Sequence, residues 1–214
     1  KLILGFVSSK GFSMATKASR SKFRSLGSIL AIAVALSGCS TAIGAGAATG
    51  VGAAQERGLE TAAIDTRIEF NIIHNWTEFN VRIPARVSIE VYEGRALITG
   101  VLSKEHEKLG AEAVRLTWKV PGVKKVYNEI QIANSGVWDL TRDSWITAQL
   151  KTKVTFDKNI FAINYAIETV NGTVYLIGIA QNTAELNRVK GHARAISYVR
   201  KVVSHVRLKS ERLQ

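Results

Sequence analysis

Val170-Asn171-Gly172-Thr173 lies between two apolar runs, and this short stretch decides the fold. Asn-Gly is a strong signal for a two-residue hairpin turn, because both central residues of such a turn need a positive φ. Glu93-Gly94 stands 78 residues earlier and superposes on Asn171-Gly172 without a gap. The sequence therefore predicts one β-hairpin that occurs twice.

The same spacing relates longer stretches on both sides of the turn. Asp65-Thr66-Arg67-Ile68 aligns with Asp143-Ser144-Trp145-Ile146, and the second copy then becomes two residues shorter, so that Val123-Lys124-Lys125-Val126 aligns with Val199-Arg200-Lys201-Val202. Self-similarity of this kind indicates one structural unit that is built twice. We expect a first domain at 61–133 and a second at 138–209.

Each copy has the pattern helix, strand, strand, helix, strand, which predicts an α+β fold with two helices on a three-stranded mixed sheet. Ile146, Leu150 and Val154 recur every fourth residue and form the apolar stripe of a helix, for which Asp143 is the expected N-cap. The second helix of each copy is expected at 104–119 and 182–196. Units of about 70 residues have small cores, so the two copies are expected to pack on each other.

The residues before the first domain have the layout of a secretory signal. A basic stretch follows Met14, and an apolar run from Leu26 to Leu36 leads to Ser37-Gly38-Cys39. The run has about 11 residues, against the roughly 20 that a membrane-spanning helix needs. We expect a signal peptide at 14–38, with 1–13 as upstream read-through, and a flexible small-residue tether at 39–60.

The formal net charge of +12 is unevenly distributed along the chain. Six of the 29 basic residues and none of the 17 acidic ones lie in residues 1–38, which leaves +6 for the rest. Residues 39–137 are balanced, so the whole remaining excess belongs to 138–214. A basic chain raises nucleic acid as a partner, but an exported protein does not routinely meet nucleic acid, and we expect none.

No combination of residues predicts catalysis. The histidines are not spaced as metal ligands, and the sequence has neither a phosphate-binding loop nor a nucleophile elbow. We therefore expect no catalytic residues, no metal and no small-molecule substrate. Cys39 is the only cysteine, so no intrachain disulfide forms.

Leu36-Ser37-Gly38-Cys39 resembles the lipobox of bacterial lipoproteins. The resemblance implies that Cys39 carries a covalent lipid with acyl groups such as palmitate, and no other cofactor is expected. Ser40 stands where a retention signal for the inner membrane would usually have Asp. We therefore expect a lipid anchor on the periplasmic face of the outer membrane.

A second resemblance concerns the repeat itself. The hairpin glycine, a further glycine near the end of the next strand, and the run from Pro121-Gly122-Val123 to Tyr127-Asn128-Glu129-Ile130 resemble the BON domain of bacterial envelope proteins. The resemblance implies an αββαβ fold, no catalysis, and phospholipid binding that supports envelope integrity. The second copy departs from the pattern, because Ser197-Tyr198 replaces Pro-Gly.

The functional prediction concerns the first helix of the second copy. At 100° per residue, Trp145 and Phe156 lie about 120–140° from the centre of the apolar stripe, where an amphipathic helix should be polar. Such a pair needs a second surface, which is either the headgroup region of an anionic bilayer or the first copy. The residues predicted to bind phospholipid are Trp145, Gln149, Lys151, Thr152, Lys153, Phe156 and Lys158.

Two functions follow from these patterns. We expect a non-enzymatic lipoprotein whose second domain binds anionic phospholipid. The alternative is an adaptor that contacts envelope assembly or division proteins.

Trp76 and Trp118 lie in or beside apolar stripes of the first copy and are expected in its core.

Overall fold

A computed structural model of the chain describes residues 55–134 and 137–212. The signal peptide, Cys39 and most of the tether predicted from the sequence lie outside these residues. Every feature described below belongs to one compact unit.

The elements of the two repeats follow each other in the same order. The first repeat contains helix α1 (Gly58–Phe79), strands β1 (Val87–Tyr92) and β2 (Arg95–Leu102), a 3₁₀ turn (Lys104–His106), helix α2 (Glu107–Trp118) and strand β3 (Lys125–Ile132). The second contains helix α3 (Val137–Phe156), a 3₁₀ turn (Ala162–Asn164), strands β4 (Tyr165–Val170) and β5 (Thr173–Ala180), helix α4 (Thr183–Arg194), strand β6 (Lys201–Leu208) and a 3₁₀ turn (Lys209–Arg212). The predicted αββαβ unit is confirmed in both copies.

Each repeat has its own three-stranded mixed sheet. The strand orders are β1-β2-β3 and β4-β5-β6, with the first pair antiparallel and the second pair parallel in both sheets. The hairpin turns have two residues, because Tyr92 pairs with Arg95 and Val170 with Thr173. Asn171 and Gly172 have φ values of 48° and 70°, the positive pair that this turn requires.

One face of each sheet is covered by the two helices of its own repeat. The predicted stripe of Ile146, Leu150 and Val154 on α3 is fully buried in the second core. In the first core Trp76 is buried as expected, and its indole N–H donates to the carbonyl oxygen of Ala113 at 2.9 Å. The expectation for Trp118 is wrong, since this residue is 52% exposed.

Asp143 does not cap its helix, because α3 already begins at Val137. Its carboxylate instead accepts hydrogen bonds from the backbone N–H groups of Asn171 and Gly172, at 2.6 and 2.8 Å. Asp65 of α1 accepts in the same way from Glu93 and Gly94, at 2.8 and 2.9 Å. A buried carboxylate thus holds each hairpin turn against the first helix of its repeat.

The two sheets pack on each other through the faces that the helices leave open. Tyr92 and Leu97 of the first repeat meet Tyr175, Ile177 and Ile179 of the second in a shared apolar cluster, with β1 against β5 and β2 against β4. The layers are therefore helices, sheet, sheet, helices. The expected packing of one copy on the other is observed.

The chain joins this body before α1 begins. The side chain of Gln55 donates to the carbonyl oxygen of Ile163 at 3.0 Å, and the backbone N–H of Glu56 donates to Oδ1 of Asn164 at 2.9 Å. Lys209 also approaches the Glu56 carboxylate, at 3.1 Å. The last residues of the predicted tether, from Gln55 onward, are thus part of the folded body.

Candidate functional site

The outward face of α3 carries the aromatic pair that the sequence singled out. Trp145 is 44% exposed and Phe156 is 81% exposed, although Ile146 and Val154 beside them are buried. Phe156 therefore does not pack against the first repeat. Among the other predicted residues, four are exposed: Gln149, Thr152, Lys153 and Lys158.

Lys151 is separated from the other six predicted residues. It is half-buried. Its positive charge lowers the pKa of Glu90 in β1 and of Glu168 in β4. At 100° per residue it lies about 120° round the helix from Trp145. Lys151 thus faces the joint between the repeats, and the prediction that placed it with the lipid-binding face is not supported by its surroundings.

Three carboxyl groups have a raised pKa: Glu90 and Glu168 at the interface between the repeats, and Glu69 of the first repeat. Burial raises the pKa of Glu69 to about 7, against a hydrogen bond from the backbone N–H of Val91 that lowers it. Burial is also the main cause that raises the pKa of Glu90 and of Glu168, whose side chains are hydrogen-bonded to each other. Desolvation disfavours a charged carboxylate, so this pair favours holding a proton.

Two residues that were not predicted complete the exposed face near Trp145. The ring of Tyr198, in the loop between α4 and β6, meets the Trp145 ring edge to face at a centroid distance of 6.2 Å. The guanidinium carbon of Arg142 lies 6.0 Å from the Tyr198 centroid, and Arg142 also pairs with Asp139. The only sequence signal for Tyr198 was the replacement of Pro-Gly by Ser197-Tyr198.

The arrangement combines large exposed rings with cations. Indole and phenol rings favour the boundary between hydrocarbon and water, and the ammonium groups of Lys153 and Lys158 are exposed on the same repeat. The first repeat has Arg67 and Glu78 of α1 at the positions of Trp145 and Phe156, and its own exposed rings, Phe70, Phe79 and Trp118, lie at other positions. Exposed rings at these two positions of the first helix are therefore specific to the second repeat.

Two kinds of feature are absent from residues 55–134 and 137–212. No helix there is both long and apolar enough to cross a bilayer. No cluster of three or more His, Cys, Asp or Glu side chains within the same ranges could hold a metal ion.

Known proteins share this sequence over most of its length. Outer membrane lipoprotein DolP of Haemophilus influenzae is 33% identical over 188 residues, which are 86% of this chain and 95% of that protein. An uncharacterized protein of Anaplasma centrale is 39% identical over 138 residues, 64% of this chain and 90% of that protein. The 21 kDa hemolysin of Actinobacillus pleuropneumoniae is 28% identical over 154 residues, 69% of this chain and 75% of that protein.

The BON domain matches this chain at residues 62–134 and again at 142–210. These two segments correspond to the two αββαβ repeats of the structure. The chain is therefore a member of the BON-domain family and carries two copies of the domain.

Proposed function

We propose that this protein is an outer-membrane lipoprotein whose second BON domain binds anionic phospholipid through the exposed face of α3. The observation that carries the proposal is the exposure of Trp145 and Phe156 on a helix whose opposite side is buried. The binding is non-catalytic, and it supports the integrity of the envelope from the periplasmic face of the membrane.

The anchor in this proposal is a covalent lipid on Cys39. Two observations support it: the lipobox-like sequence that ends in Cys39, and the identity of 33% to an outer membrane lipoprotein across 95% of that relative. The lipobox resemblance implies more than one acyl chain on Cys39, and several chains hold a protein on a membrane more durably than the marginal binding of one chain. A second contact made by the folded domains would add to the anchor and set the orientation of the protein on the bilayer.

The choice of the second domain rests on charge, because both domains expose aromatic side chains. The net excess of basic residues in the mature chain lies in 138–214, and each Lys or Arg near an anionic surface contributes about 1 kcal/mol of attraction. Lys153 is exposed on α3, and at 100° per residue it lies about 60–80° round the helix from the aromatic pair. Rings at the interface and ammonium groups at lipid phosphates are therefore available on one face.

Vesicle co-sedimentation of residues 45–214 tests the lipid contact without the anchor. Wild-type protein is expected to sediment with vesicles that contain phosphatidylglycerol and to remain in solution with phosphatidylcholine alone. The double variant Trp145→Ala, Lys153→Glu should bind anionic vesicles at least about tenfold more weakly. Phe70→Ala is the matched control, because Phe70 is an exposed aromatic residue on α1 of the first domain.

Two results would contradict this proposal. One is equal binding to neutral and anionic vesicles, and the other is full binding by the double variant. A photo-crosslinker at position 145 in cells provides a separate check, since a single stoichiometric protein partner there would favour the adaptor function instead.

The anchor is tested by mass spectrometry of the mature N-terminal peptide from the membrane fraction. A peptide that begins at Cys39 and carries the mass of acyl chains is expected, and Cys39→Ala should abolish it. An unmodified Cys39, or cleavage at another position, would remove the anchor from the proposal while leaving the lipid-binding face untouched.

A further inference from the structure

Tyr198 has a backbone conformation that its residue type disfavours. Its φ is 69°, and the other non-glycine residues with positive φ in the described ranges are Glu93 and Asn171, both at the first position of a hairpin turn. In an L-residue this conformation brings Cβ close to the backbone, and it is unusual for a bulky side chain. Tyr198 therefore holds a strained conformation outside a hairpin.

The first repeat has a glycine at the equivalent position of this turn. Gly122 aligns with Tyr198, and its φ is 96°. Glycine adopts positive φ without steric cost, so the fold of the turn does not require a ring. In this turn the second repeat has a large side chain together with a strained backbone.

The loop that carries Tyr198 is held in place by the hairpin. The backbone N–H of Arg200 donates to the carbonyl oxygen of Gly172 at 2.7 Å. A Cβ on Gly172 would lie only 2.7 Å from the carbonyl oxygen of Tyr198, which shows how closely the two backbones approach. The hairpin is in turn held by Asp143, two residues before Trp145 on α3. This chain of contacts fixes the position of Tyr198 relative to Trp145.

Burial does not explain the strain at Tyr198. The residue is 66% exposed, and its ring contacts are the edge of Trp145 and the guanidinium group of Arg142. Strained residues persist where the surroundings impose them, and they concentrate at functional sites. An exposed ring beside a second exposed ring and a cation matches what the interface of an anionic bilayer favours.

We propose that Tyr198 is a membrane-contact residue, and that its left-handed backbone conformation presents the ring beside Trp145 and Arg142 as one patch. The inference rests on the proposed function and deepens it, because it assigns lipid contact to a second element, the loop between α4 and β6. The aromatic contact then has two rings held by different elements, one on α3 and one on the loop.

Three substitutions in residues 45–214 separate the ring from the strain. Tyr198→Ala and Tyr198→Gly both remove the ring, but only Gly removes the steric cost of the positive φ. Both should weaken binding to phosphatidylglycerol vesicles by roughly three- to tenfold, while the Gly variant melts about 2–4 °C above the Ala variant. Tyr198→Phe keeps the ring and should bind like the wild type.

Salt distinguishes the ring from the surrounding charges. The fold loss of Tyr198→Ala should be the same at low and high salt, whereas the loss of Lys153→Gln should shrink at high salt because screening weakens only the charge. If Tyr198→Ala binds normally while Trp145→Ala does not, this inference is overturned and the proposed function stands. If both variants bind normally, the proposed function itself fails.

Discussion

At the scale of single residues, Asp65 and Asp143 link the first helix of each repeat to the hairpin of that repeat. Each carboxylate accepts two backbone N–H groups of a turn, and Asp65 also pairs with Arg57 at 2.9 Å. Hydrogen bonds to a buried charged acceptor are stronger than neutral ones, and the loss of the acceptor leaves buried donors unsatisfied. These two side chains therefore matter more for stability than their surface neighbours.

We expect Asp143→Ala to lower the free energy of unfolding by about 2–4 kcal/mol, since two buried N–H groups lose their acceptor. Urea titration of residues 45–214 followed by circular dichroism measures the change. Ser144→Ala is the control, because Ser144 is exposed and its hydroxyl returns to the same helix at Leu140. A loss below about 0.5 kcal/mol for Asp143→Ala, the range of ordinary surface substitutions, would refute the assignment.

Gly178 and Gly191 should respond to alanine in opposite directions. Gly178 has φ 149°, and a Cβ there would collide with the carbonyl oxygen of Asn164, whereas a Cβ on Gly191 in helix α4 meets nothing within 4 Å. Gly178→Ala should cost at least about 2 kcal/mol, and Gly191→Ala should stabilise by about 0.5–1 kcal/mol. Thermal melts of the two variants check this, and equal shifts would show that the close approach at Gly178 is unimportant.

At the scale of elements, helix α3 has three distinct sides. Its core side carries Ile146, Leu150 and Val154, its outer side carries Trp145 and Phe156, and Lys151 lies toward the carboxyl groups of the joint. A helix with only a core side and a solvent side would not need exposed rings. The element therefore connects the exposed aromatic side with the interface between the repeats.

Two lysines of α3 should therefore behave differently. We expect Lys153→Gln to weaken binding to phosphatidylglycerol vesicles roughly fivefold, whereas Lys151→Gln leaves it within about twofold of the wild type. The two substitutions are expected to differ because Lys153 is exposed, whereas Lys151 is half-buried beside Glu90 and Glu168. If both substitutions weakened binding equally, the separation of Lys151 from the lipid-facing side would be incorrect.

The sequence was sufficient for features that depend on local geometry. The turn at Asn171-Gly172 and the stripe of Ile146, Leu150 and Val154 follow from residue types and spacing alone, and both are present. Asp143 was misread, because an Asp before an apolar stripe looks like an N-cap and only the fold brings it to a hairpin 28 residues away.

The positions of Trp118 and Tyr198 also depend on tertiary structure that the sequence pattern does not reveal. Trp118 lies one residue beyond the buried Thr117, at a helix end where no other element covers it. Tyr198 reaches Trp145 only because the α4–β6 loop folds back on the hairpin. Neither position can be deduced from spacing, since the partners are distant in sequence.

At the scale of the whole molecule, the two repeats are joined by an interface that is partly ionisable. Arg95 of β2 reaches across it and donates to the carbonyl oxygens of His205 and Gly178, at 2.8 and 3.0 Å. Glu90 and Glu168 lie at the same interface, where Lys151 lowers the pKa of both, and Glu69 of the first repeat interacts electrostatically with Glu90. The strength of the joint therefore depends on protonation as well as on apolar contact.

Stability should fall as the pH rises from about 5 to 8. The pKa values of Glu69, Glu90 and Glu168 are raised by burial above their ordinary value of 4.5, to about 7 for Glu69. In this pH range the folded state therefore holds protons that the unfolded state has released. These protonated groups add to the free energy of unfolding at low pH, and that contribution is lost as the pH rises through the pKa values of the folded state. Each group changes the free energy of unfolding by at most about 1.4 kcal/mol per pH unit.

Urea titrations across this pH range measure the slope. The double variant Glu90→Gln, Glu168→Gln should flatten it, because glutamine keeps a neutral polar group at the joint at every pH. Lys151→Gln should make the slope steeper, since the cation that favours the charged forms is lost. A wild-type curve that is flat or rises from pH 5 to 8 would exclude this account of the joint.

The joint also brings equivalent positions of the two repeats together. Glu90 and Glu168 occupy the same place in their hairpins and are hydrogen-bonded to each other, and Glu129 meets His205, its counterpart on the last strand, at 2.9 Å. Contact between identical positions is what a twofold rotation axis produces. Each repeat thus presents one half of an isologous interface, so a single repeat produced alone is expected to self-associate through this sheet face. Covalent linkage of the two repeats makes that association independent of protein concentration. The two halves differ in what they present to solvent, because the second has Trp145 and Tyr198 where the first has Arg67 and Gly122.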